Sequence, residues 1–555
     1  MNRVWARGTL PAETIGHGVG RAAGAWRVMG GVWLLALVLG CAAAAHGQGG
    51  FRVRFDAGVR PAPASGRLVI YLKKSGSHAE GGEPADGPFF DDPQPMYGLD
   101  VKGLKPGEWM VVNDGTLAGT KENEGARPRV FPVPLSRLAP GPYQVQAVLD
   151  MKRENSSWRR EVGNLYSDVI SMNVDPGQAR NRPVDIVLSS EVAERGTAAK
   201  RAGVEFLEVR SELLSRFRGG DVMLRAGVVL PENYDAARPG GYPAVYEVPG
   251  FGGDHEGAIA HARHRGRTDG TDPVSVLNRS AFWIVLDPEG PNGHHLFANS
   301  ANNGPVGDAL VKELIPALEN KYNVSRAPAG RLLRGHSSGG WSTLWLATEY
   351  PETFGAAWST SPDPVDFRKF QSINIYRGPN AYTSGGSEVP SYRRAGSVRM
   401  TVRQENAMEE VLGPDNTSGQ QWDSWFAVFG PRTERGTPAA AWDAASGAID
   451  HVVTEQYKAY DIADRLRRDA AKYGPIFKQR VRIIVGDEDN YYLNEAVALL
   501  EDEVNALNFL TLPEGSHGSI TIVPGRDHGS IFMTPQMQSI PREMVEHLRR
   551  AGYVN

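Results

Sequence analysis

From residue 50 to residue 188, hydrophobic and polar residues alternate in short segments that are separated by turns rich in proline and glycine. Clear examples are Arg67–Leu72, Tyr143–Leu149 and Val184–Leu188. A two-residue period is typical of strands that bury one face, and no long helical period interrupts these segments. The pattern predicts an all-β domain over 50–188, and we expect an antiparallel sandwich of the immunoglobulin-like type. Its acidic loop Asp86–Asp92 lacks the ligand spacing of a calcium site and is interpreted as a solvated loop.

The pattern changes after the polar stretch 189–203, which is interpreted as a linker. Buried-type strands such as Ala244–Val248 and Phe282–Leu286 now alternate with helical stretches such as Asp308–Tyr322. This alternation is typical of a largely parallel sheet with helices packed on it. The sequence therefore predicts a second domain of the α/β class over 204–555.

The amino terminus has the format of a secretory signal, with a basic segment, a short apolar run from Val28 and a small-residue end at Ala45. We expect residues 1–45 to direct export to the periplasm or the exterior, and a retained signal anchor is the alternative. Cys41, the only cysteine, follows Val-Leu-Gly and resembles the cysteine of a bacterial lipobox. Lipid anchoring at Cys41 and cleavage after Ala45 fit the sequence equally well. A single cysteine excludes an intramolecular disulfide.

Composition narrows the possible functions. The 555 residues suggest two or three domains, and 41% hydrophobic with 22% charged residues is ordinary for a soluble globular protein. A net charge of −4 without a basic stripe gives no reason to expect a nucleic-acid partner. Most histidines, including the run His261 and His264 and the pair His294 and His295, show no metal-ligand spacing and are interpreted as packing or surface residues. We expect no metal and no organic cofactor.

Candidate chemistry centres on Gly335-His-Ser-Ser-Gly339, which joins a predicted strand to a predicted helix. Gly-x-Ser-x-Gly in that context is typical of a nucleophile elbow, which exposes the hydroxyl of Ser337 at the edge of a sheet. Glycine is needed at both ends because the turn leaves no room for a Cβ. The bare pattern is weak evidence in a chain with 64 glycines, so its surroundings must decide.

Five segments in order resemble the esterase D group of α/β-hydrolases, and they are Leu230–Tyr234, Pro249–Gly253, Asp308–Glu319, Gly335–Gly340 and Tyr350–Phe354. The group includes enterochelin esterases, feruloyl and acetyl-xylan esterases, and S-formylglutathione hydrolase. The resemblance extends from about Val204 to the carboxyl end. An enterochelin-esterase-like layout, with a β domain ahead of the hydrolase, is the closest likeness. It implies an α/β-hydrolase fold and a serine esterase.

The resemblance also implies a catalytic triad in the chain order serine, acid, histidine. Ser337 would be the nucleophile. The acid falls on Asp489, after the late strand Arg480–Val485, with Asp487 as the rival. The base falls on His528, on the loop after the last strand, with His517 as the weaker candidate.

The oxyanion donors implied by the fold are the backbone N–H groups of Ser338 and Phe251. The sequence departs from the group at Pro249, where the family has histidine. Because the donor is a backbone group, the change at Pro249 need not abolish function. The assignment of Phe251 is weaker for this change, since it relies on the family pattern at this loop.

Four further residues are candidate substrate contacts. Asn302 and Asn303 are placed near the site by similarity, Trp341 follows the elbow, and Asp363 follows the strand Gly355–Thr360, at whose carboxyl end ligands bind in open α/β sheets. A long insertion at about 361–450 is rich in aromatic residues. These could stack on a sugar or an aromatic acyl group, but packing of the insertion's own core is the favoured interpretation.

The expected function is an exported serine hydrolase that cleaves a carboxylic ester through a Ser-His-Asp triad and an acyl-enzyme. The expected substrate is a small-molecule, carbohydrate or siderophore-type ester. One alternative is acyl transfer on the same fold, and another is a non-catalytic binding protein that uses its β domain. The physiological ester and the oligomeric state do not follow from the sequence.

Overall fold

The computed structural model describes residues 49–79, 81–175, 183–194, 204–263, 270–511 and 516–555. The predicted signal segment, with both readings of Cys41, lies outside these described residues, as does most of the predicted linker. The described residues belong to one compact unit. Within the described ranges, none of the helices has the length and apolar character needed to cross a membrane.

The amino-terminal domain is β-rich. Its strands are β1 (Phe51–Phe55), β2 (Ala64–Lys74), β3 (Met96–Leu104), β4 (Met110–Val112), β5 (Arg129–Phe131), β6 (Gly141–Asp150), β7 (Leu165–Tyr166), β8 (Ile170–Val174), β9 (Val184–Leu188) and β10 (Ser190–Glu191). One sheet has the order β4-β1-β9. The other has the order β10-β7-β6-β2-β3-β5, with β8 paired to β6.

One apolar cluster forms the core of this domain, because alternate residues of both sheets point into it. Val53, Ile70, Val145 and Ile186 are all fully buried there. The predicted β-rich domain is confirmed, while its immunoglobulin-like type stays a prediction. Two local features differ from the expectation of an antiparallel sandwich followed by a linker. Strands β1 and β9 pair in parallel, and the first linker residues form β10, which pairs with β7.

The carboxy-terminal domain alternates strands and helices. Its elements are β11 (Val204–Arg210), α1 (Glu212–Arg218), β12 (Met223–Val229), β13 (Ala244–Val248), α2 (Gly257–Arg263), α3 (Pro273–Ser280), β14 (Phe282–Leu286), α4 (Val306–Ala309), α5 (Ile315–Lys321), β15 (Arg331–His336), α6 (Ser338–Glu349), β16 (Ala356–Thr360), β17 (Thr383–Ser384), β18 (Ser387–Glu388), β19 (Pro390–Arg394), β20 (Ser397–Thr401), α7 (Val402–Leu412), α8 (Gln421–Phe429), α9 (His451–Tyr457), α10 (Ile462–Arg468), α11 (Ala470–Arg480), β21 (Val481–Gly486), α12 (Leu493–Asn505), β22 (Ser519–Val523) and α13 (Pro535–Arg550).

Eight strands form one sheet in the order β11-β12-β14-β13-β15-β16-β21-β22. The first two pairings, β11 with β12 and β12 with β14, are antiparallel, and the rest are parallel. The predicted, mostly parallel sheet is therefore confirmed. Both faces are covered: α2, α3 and α13 pack on one face, and α5, α6, α11 and α12 pack on the other. Because the parallel strands end at one edge, the loops after β13, β15, β21 and β22 meet there.

The predicted helix 308–322 contains a wider turn. Between α4 and α5, residues Leu310–Leu314 form a π-helical turn. Pro316 lies in the first turn of α5 and has no backbone N–H to donate to the preceding turn. A π turn is one of the few ways in which a helix accommodates such a break.

Helix α7 of the insertion packs against the β-rich domain, on strands β3 and β5. Arg67 of β2, which is only 1% exposed, donates from Nε to the carbonyl of Val411 at 2.9 Å. Apolar residues of both partners form one mixed cluster, in which Tyr71 and Phe131 join Met408 and Val411. The β-rich domain therefore supports the insertion next to the sheet edge at which the predicted site lies.

Candidate active site

The backbone at Ser337 has the strained conformation of a nucleophile elbow, with φ 58° and ψ −125°. Strand β15 ends directly before it and helix α6 begins directly after it. The flanking glycines are sterically required: a Cβ at Gly335 would lie 2.1 Å from the carbonyl oxygen of Gly339, and one at Gly339 would lie 2.0 Å from that of Val248. Such strain persists where the surrounding fold enforces it, and it clusters at functional sites.

The acid and the histidine of the predicted triad are hydrogen-bonded. Nδ1 of His528, on the loop after β22, lies 2.7 Å from Oδ2 of Asp489, on the loop after β21. Asp489 is fully buried, and its Oδ1 accepts from the backbone N–H of Tyr491 at 2.9 Å. The rival Asp487 is exposed and accepts from the N–H of Gly525 at 2.6 Å. His517 is exposed just before β22.

Two opposing effects act on His528. Burial lowers the pKa of its imidazole, whereas the charge of Asp489 and their hydrogen bond raise it, and the pKa ends above its usual 6.5. The ring of His336 lies 4.3 Å from the His528 ring, centroid to centroid. Burial, and then the nearby charge of His528, hold the pKa of His336 well below 6.5. His336 is therefore neutral near pH 7, so it adds no positive charge beside His528.

The loop Pro249–Gly253, which we call the oxyanion loop because it carries the predicted donor Phe251, lies against the elbow. A Cβ at Gly250 would lie only 3.4 Å from Cβ of Ser337. The loop is closed by a turn in which the N–H of Gly253 donates to the carbonyl of Gly250 at 2.9 Å. Ser338 is the first residue of α6, so its N–H is one of the donors that a helix leaves without an intrahelical partner.

A cavity of about 270 Å³ brings these residues together. Its walls contain Ser337, His528, Phe251 and His336, and the aromatic residues Phe90, Trp425 and Tyr491. Polar lining comes from Asp363, Gln371, Glu405 and Gln421, with Gly250 and Leu493 completing the described walls. We call this space the active-site cavity. The predicted nucleophile, base and oxyanion loop thus share one enclosure.

Two buried carboxyl groups line this cavity. Asp363 is 2% exposed, and its Oδ2 accepts from the hydroxyl of Ser338 at 2.7 Å and from the indole N–H of Trp425 at 2.8 Å. Burial raises the pKa of Asp363 to about 6, against the lowering effect of these hydrogen bonds. Burial likewise raises the pKa of Glu405, on α7, to about 7. No lysine or arginine is among the described residues that line the cavity.

Of the four predicted substrate contacts, Asp363 lines the cavity and the other three do not. Trp341 is fully buried and stacks on Trp345 at 5.3 Å, because the first turn of α6 faces the core. Asn302 donates to the carbonyls of Ala427 and Gly430, at the end of α8, at 3.1 and 3.0 Å. Asn303 is 2% exposed and accepts from Asn292 at 2.9 Å. These three residues hold the fold together beside the site.

The aromatic residues of the insertion are mostly core residues. Trp422, Phe426, Phe429 and Trp442 are each at most 2% exposed and belong to the main apolar cluster of the hydrolase domain, so they pack with the whole domain and not in a separate small core. Trp425 belongs to this cluster and also lines the cavity. Packing was the favoured interpretation, and it describes this group; Trp425 is buried as well and in addition faces the cavity.

Sequence reasoning missed several residues of this site, among them Glu405, Tyr491 and Phe90 of the cavity wall. Phe90 belongs to the loop that was interpreted as solvated, and its ring instead meets Tyr392 at 5.9 Å and Tyr491 at 6.1 Å. The paired phenylalanines of that acidic loop were the available signal, since a solvated loop rarely carries two. His294 is fully buried and its Nε2 lies 2.9 Å from the carbonyl of Pro249. Burial lowers its pKa to about 4, so it is a neutral donor to the oxyanion loop.

Among the described residues, no group of three or more His, Cys, Asp and Glu side chains is arranged to hold a metal ion. The arrangement instead suits nucleophilic catalysis, in which a hydroxyl, an imidazole and a carboxylate work in sequence.

Comparison with protein families identifies the class. A family model described as "Putative esterase" matches residues 222–529, more than half of the chain. The chain belongs to this esterase family. It is accordingly a carboxylic-ester hydrolase of the α/β-hydrolase type, as the resemblance of the five segments implied. The match spans the elbow, Asp489 and His528, and it begins after the β-rich domain. No curated protein matches the esterase sequence.

Three solved structures illustrate what this esterase is similar to. A ferulic acid esterase has 12% identity and a TM-score of 0.37, over 62% of this chain and 98% of its own. The S-formylglutathione hydrolase of Agrobacterium tumefaciens has 12% identity and a TM-score of 0.34, over 62% and 95%. MPT51 (FbpC1) of Mycobacterium tuberculosis has 14% identity and a TM-score of 0.36, over 62% and 99%.

Proposed function

We propose that this esterase is an exported serine hydrolase that uses Ser337 as nucleophile, His528 as general base and acid, and Asp489 as the orienting acid. The observation that carries the proposal is the 2.7 Å bond between His528 Nδ1 and Asp489 Oδ2 at the wall of the cavity that also contains Ser337. A hydrogen bond at Nδ1 fixes the tautomer and leaves Nε2 as the proton acceptor. The strained elbow at Ser337 supports the same assignment.

In the proposed reaction, Ser337 Oγ attacks the ester carbonyl carbon while its proton passes to Nε2 of His528. The tetrahedral intermediate collapses, the C–O bond to the alcohol breaks, and the imidazolium returns the proton to the departing alkoxide. An acyl-enzyme on Ser337 remains. Water then attacks this acyl group with the same proton transfers, which releases the acid and restores the hydroxyl.

The backbone N–H groups of Ser338 and Phe251 would hold the oxyanion during both steps. Removal of one such donor typically costs about 3–4 kcal/mol of transition-state stabilisation. The closeness of Gly250 to Ser337, and the position of Ser338 at the start of α6, support this pair of donors. The positive end of the α6 dipole adds to the stabilisation of negative charge at the same point.

The lining of the cavity supports a neutral, hydroxyl-bearing ester as substrate, such as a sugar ester. The carboxyl groups of Asp363 and Glu405 would pair with hydroxyl groups, and Phe90, Trp425 and Tyr491 offer apolar faces for a ring. A substrate with carboxylate or phosphate groups would meet two carboxyl groups and, in the described lining, no lysine or arginine. The charge pattern therefore favours a carbohydrate-type over an anionic siderophore-type ester.

Export is proposed from the sequence of residues 1–45 alone. Fractionation of cells that express the chain should place the esterase outside the cytoplasm. A Cys41→Ser variant separates the two readings of this segment, since it should move from the membrane to the soluble fraction only if Cys41 carries a lipid.

The test of the catalytic proposal is turnover of p-nitrophenyl acetate by the purified chain. The Ser337→Ala variant should lose hydrolysis and covalent labelling by a fluorophosphonate, with an unchanged thermal midpoint. Ser397→Ala, at an exposed serine of β20, is the matched control and should behave as wild type. Equal rates in wild type and Ser337→Ala would refute the triad. An added alcohol acceptor distinguishes the alternative activity, because acyl transfer would yield a new ester in place of the free acid.

A further inference from the structure

The β-rich domain reaches the active-site cavity through two loops. The β2–β3 loop carries Phe90, which lines the cavity. The β6–β7 loop carries Arg160, whose Nη2 donates to the carbonyl of Gly252, in the oxyanion loop, at 2.5 Å. Nε of the same guanidinium lies 3.1 Å from Oδ2 of Asp254, the residue after that loop.

We propose that the β-rich domain is part of the catalytic apparatus of this esterase: Arg160 is a positioning residue that fixes the oxyanion loop, and Phe90 forms one wall of the substrate site. The inference rests on the proposed function, because it assumes that the oxyanion loop stabilises the tetrahedral intermediate.

The contact at Arg160 is built to hold a backbone position. Its side chain is 20% exposed and that of Asp254 is 11% exposed, so the pair is better shielded than an ordinary surface ion pair. One guanidinium binds a carbonyl and a carboxylate two residues apart, which restrains both ends of the Gly252–Asp254 segment. Gly252 has φ +74°, and with the next glycine it gives the segment a mobile backbone unless it is tied down.

The oxyanion loop is also held at its first residue by His294, which donates to the carbonyl of Pro249. The β6–β7 loop also touches the segment that carries His294, because the N–H of Ser156 donates to Oε2 of Glu289 at 3.0 Å. The β-rich domain therefore contacts the oxyanion loop and the segment that supports it. Both tethers act on carbonyl groups, so neither of them occupies the N–H of Phe251, the predicted oxyanion donor.

The β6–β7 loop is itself rigid enough to transmit this restraint. The buried carboxyl group of Glu161 accepts from the backbone N–H groups of Arg153 and Asn155, at 2.8 and 2.5 Å. Asn164 donates to the carbonyl of Trp158 at 3.1 Å, just before Arg160. A side chain anchored on such a loop fixes its partner more precisely than one on a free surface loop.

Phe90 lines the cavity directly. Its ring is packed edge-to-face against Tyr392 and Tyr491, and the next residue, Asp91, forms an ion pair with Arg394 at 3.2 Å. This loop is therefore tied to the insertion, and the phenyl ring contributes a fixed apolar face to the space where substrate binds. We expect this face to affect large substrates more than small ones.

The experiment compares Arg160→Ala with Arg159→Ala in the full chain. Arg159 is the neighbouring arginine, and its ion pairs are with Glu83 and Asp86 of the β-rich domain, so it controls for general damage to that domain. Arg160→Ala should lower kcat for p-nitrophenyl acetate about tenfold, with KM changed less than threefold, since a displaced oxyanion donor weakens the transition state and not substrate binding. Arg159→Ala should stay within twofold of wild type.

The inhibition constant of a reversible boronic acid is a second measurement, and it would not change if Arg160 had a purely structural role. The adduct of the boronic acid with the nucleophile is tetrahedral, so the inhibition constant should rise in Arg160→Ala by the same factor by which kcat/KM falls. Asp254→Ala should show a similar loss, and the double variant should lose less than the sum of the two, because both residues act through one contact. Arg160→Lys should restore part of the rate.

Phe90→Ala should raise KM for an aromatic acyl ester at least fivefold, with p-nitrophenyl acetate changed less than twofold, and Phe90→Tyr should resemble wild type. The proposal is overturned if Arg160→Ala keeps the wild-type kcat and boronate inhibition, or if Arg159→Ala loses as much. It is also overturned if Phe90→Ala leaves the preference between esters unchanged. If wild type itself hydrolyses no ester, the proposed function fails, and that outcome is distinct from an active wild type with unaffected variants.

Discussion

Replacement of Asp489 by asparagine should have two effects that point in opposite directions. The Asp489→Asn variant should hydrolyse p-nitrophenyl acetate about 10⁴-fold more slowly, because an amide at this position favours the wrong imidazole tautomer. Its remaining activity, however, should persist to lower pH than that of wild type. The second effect tests the electrostatics of the site independently of the first.

The magnitude follows from the two effects that act on His528. Burial lowers the pKa of the imidazole, and the charge and hydrogen bond of Asp489 raise it above 6.5. In the variant the charge is gone while the burial remains. The loss of a hydrogen bond between charged groups corresponds to about 1.5–3 kcal/mol, and one pKa unit is about 1.4 kcal/mol. The acid limb of the profile should therefore move down by about 1–2 pH units.

The assay is kcat/KM from about pH 4.5 to pH 9, followed at the isosbestic wavelength of p-nitrophenol. Wild type should lose activity as pH falls through a pKa above 6.5, because a protonated His528 accepts no proton. Asp487→Asn is the matched control: its side chain accepts from Gly525 through an oxygen that asparagine retains, so it should keep the wild-type profile. An acid limb that stays in place in Asp489→Asn, or an equal loss in Asp487→Asn, would refute this account of the triad.

Three further predictions concern the surroundings of the triad. The pKa of Glu405 rises from 4.5 to about 7 on folding, so between these values the folded chain retains a proton that the unfolded chain releases, and the free energy of unfolding falls as pH rises. Glu405→Gln should remove on the order of 3 kcal/mol of this pH dependence, measured by urea unfolding at pH 5 and pH 8. The same change in unfolding free energy between the two pH values in wild type and variant would contradict this prediction. Gly339→Ala should destabilise the fold by at least about 3 kcal/mol because its Cβ would lie 2.0 Å from a backbone carbonyl, whereas Gly220→Ala, with no heavy atom within 4 Å, should shift the thermal midpoint little. His294→Phe should lower kcat about tenfold at constant KM, since loss of one buried donor costs about 1–3 kcal/mol, and unchanged kinetics would exclude His294 as a support of the oxyanion loop.

Local patterns in the sequence were sufficient for the main outline of this esterase. Burial of one face of a strand or helix sets the period of its hydrophobic residues, and this period can be recognised in each segment alone. It predicted the strands before residue 188 and the alternation of strands and helices after residue 204. The elbow at Ser337 was predictable in part for the same reason, since a Cβ at Gly335 would clash with Gly339 only four residues away. The clash that requires glycine at position 339 is with Val248, and it exists only once the sheet has formed. The order of Asp489 and His528 behind it followed from the resemblance of the surrounding motifs.

Only the tertiary structure decided how distant segments meet. Asp487 and Asp489 share one acidic loop, and packing alone turns Asp489 toward His528 and leaves Asp487 exposed. The roles of Phe90 and Arg160 depend on contacts between residues that lie roughly a hundred or more positions apart in the chain. Hydrophobic periodicity indicates whether a residue is buried, but it does not identify the residues that it contacts. Those contacts are determined only when the β-rich domain, the insertion and the sheet pack together.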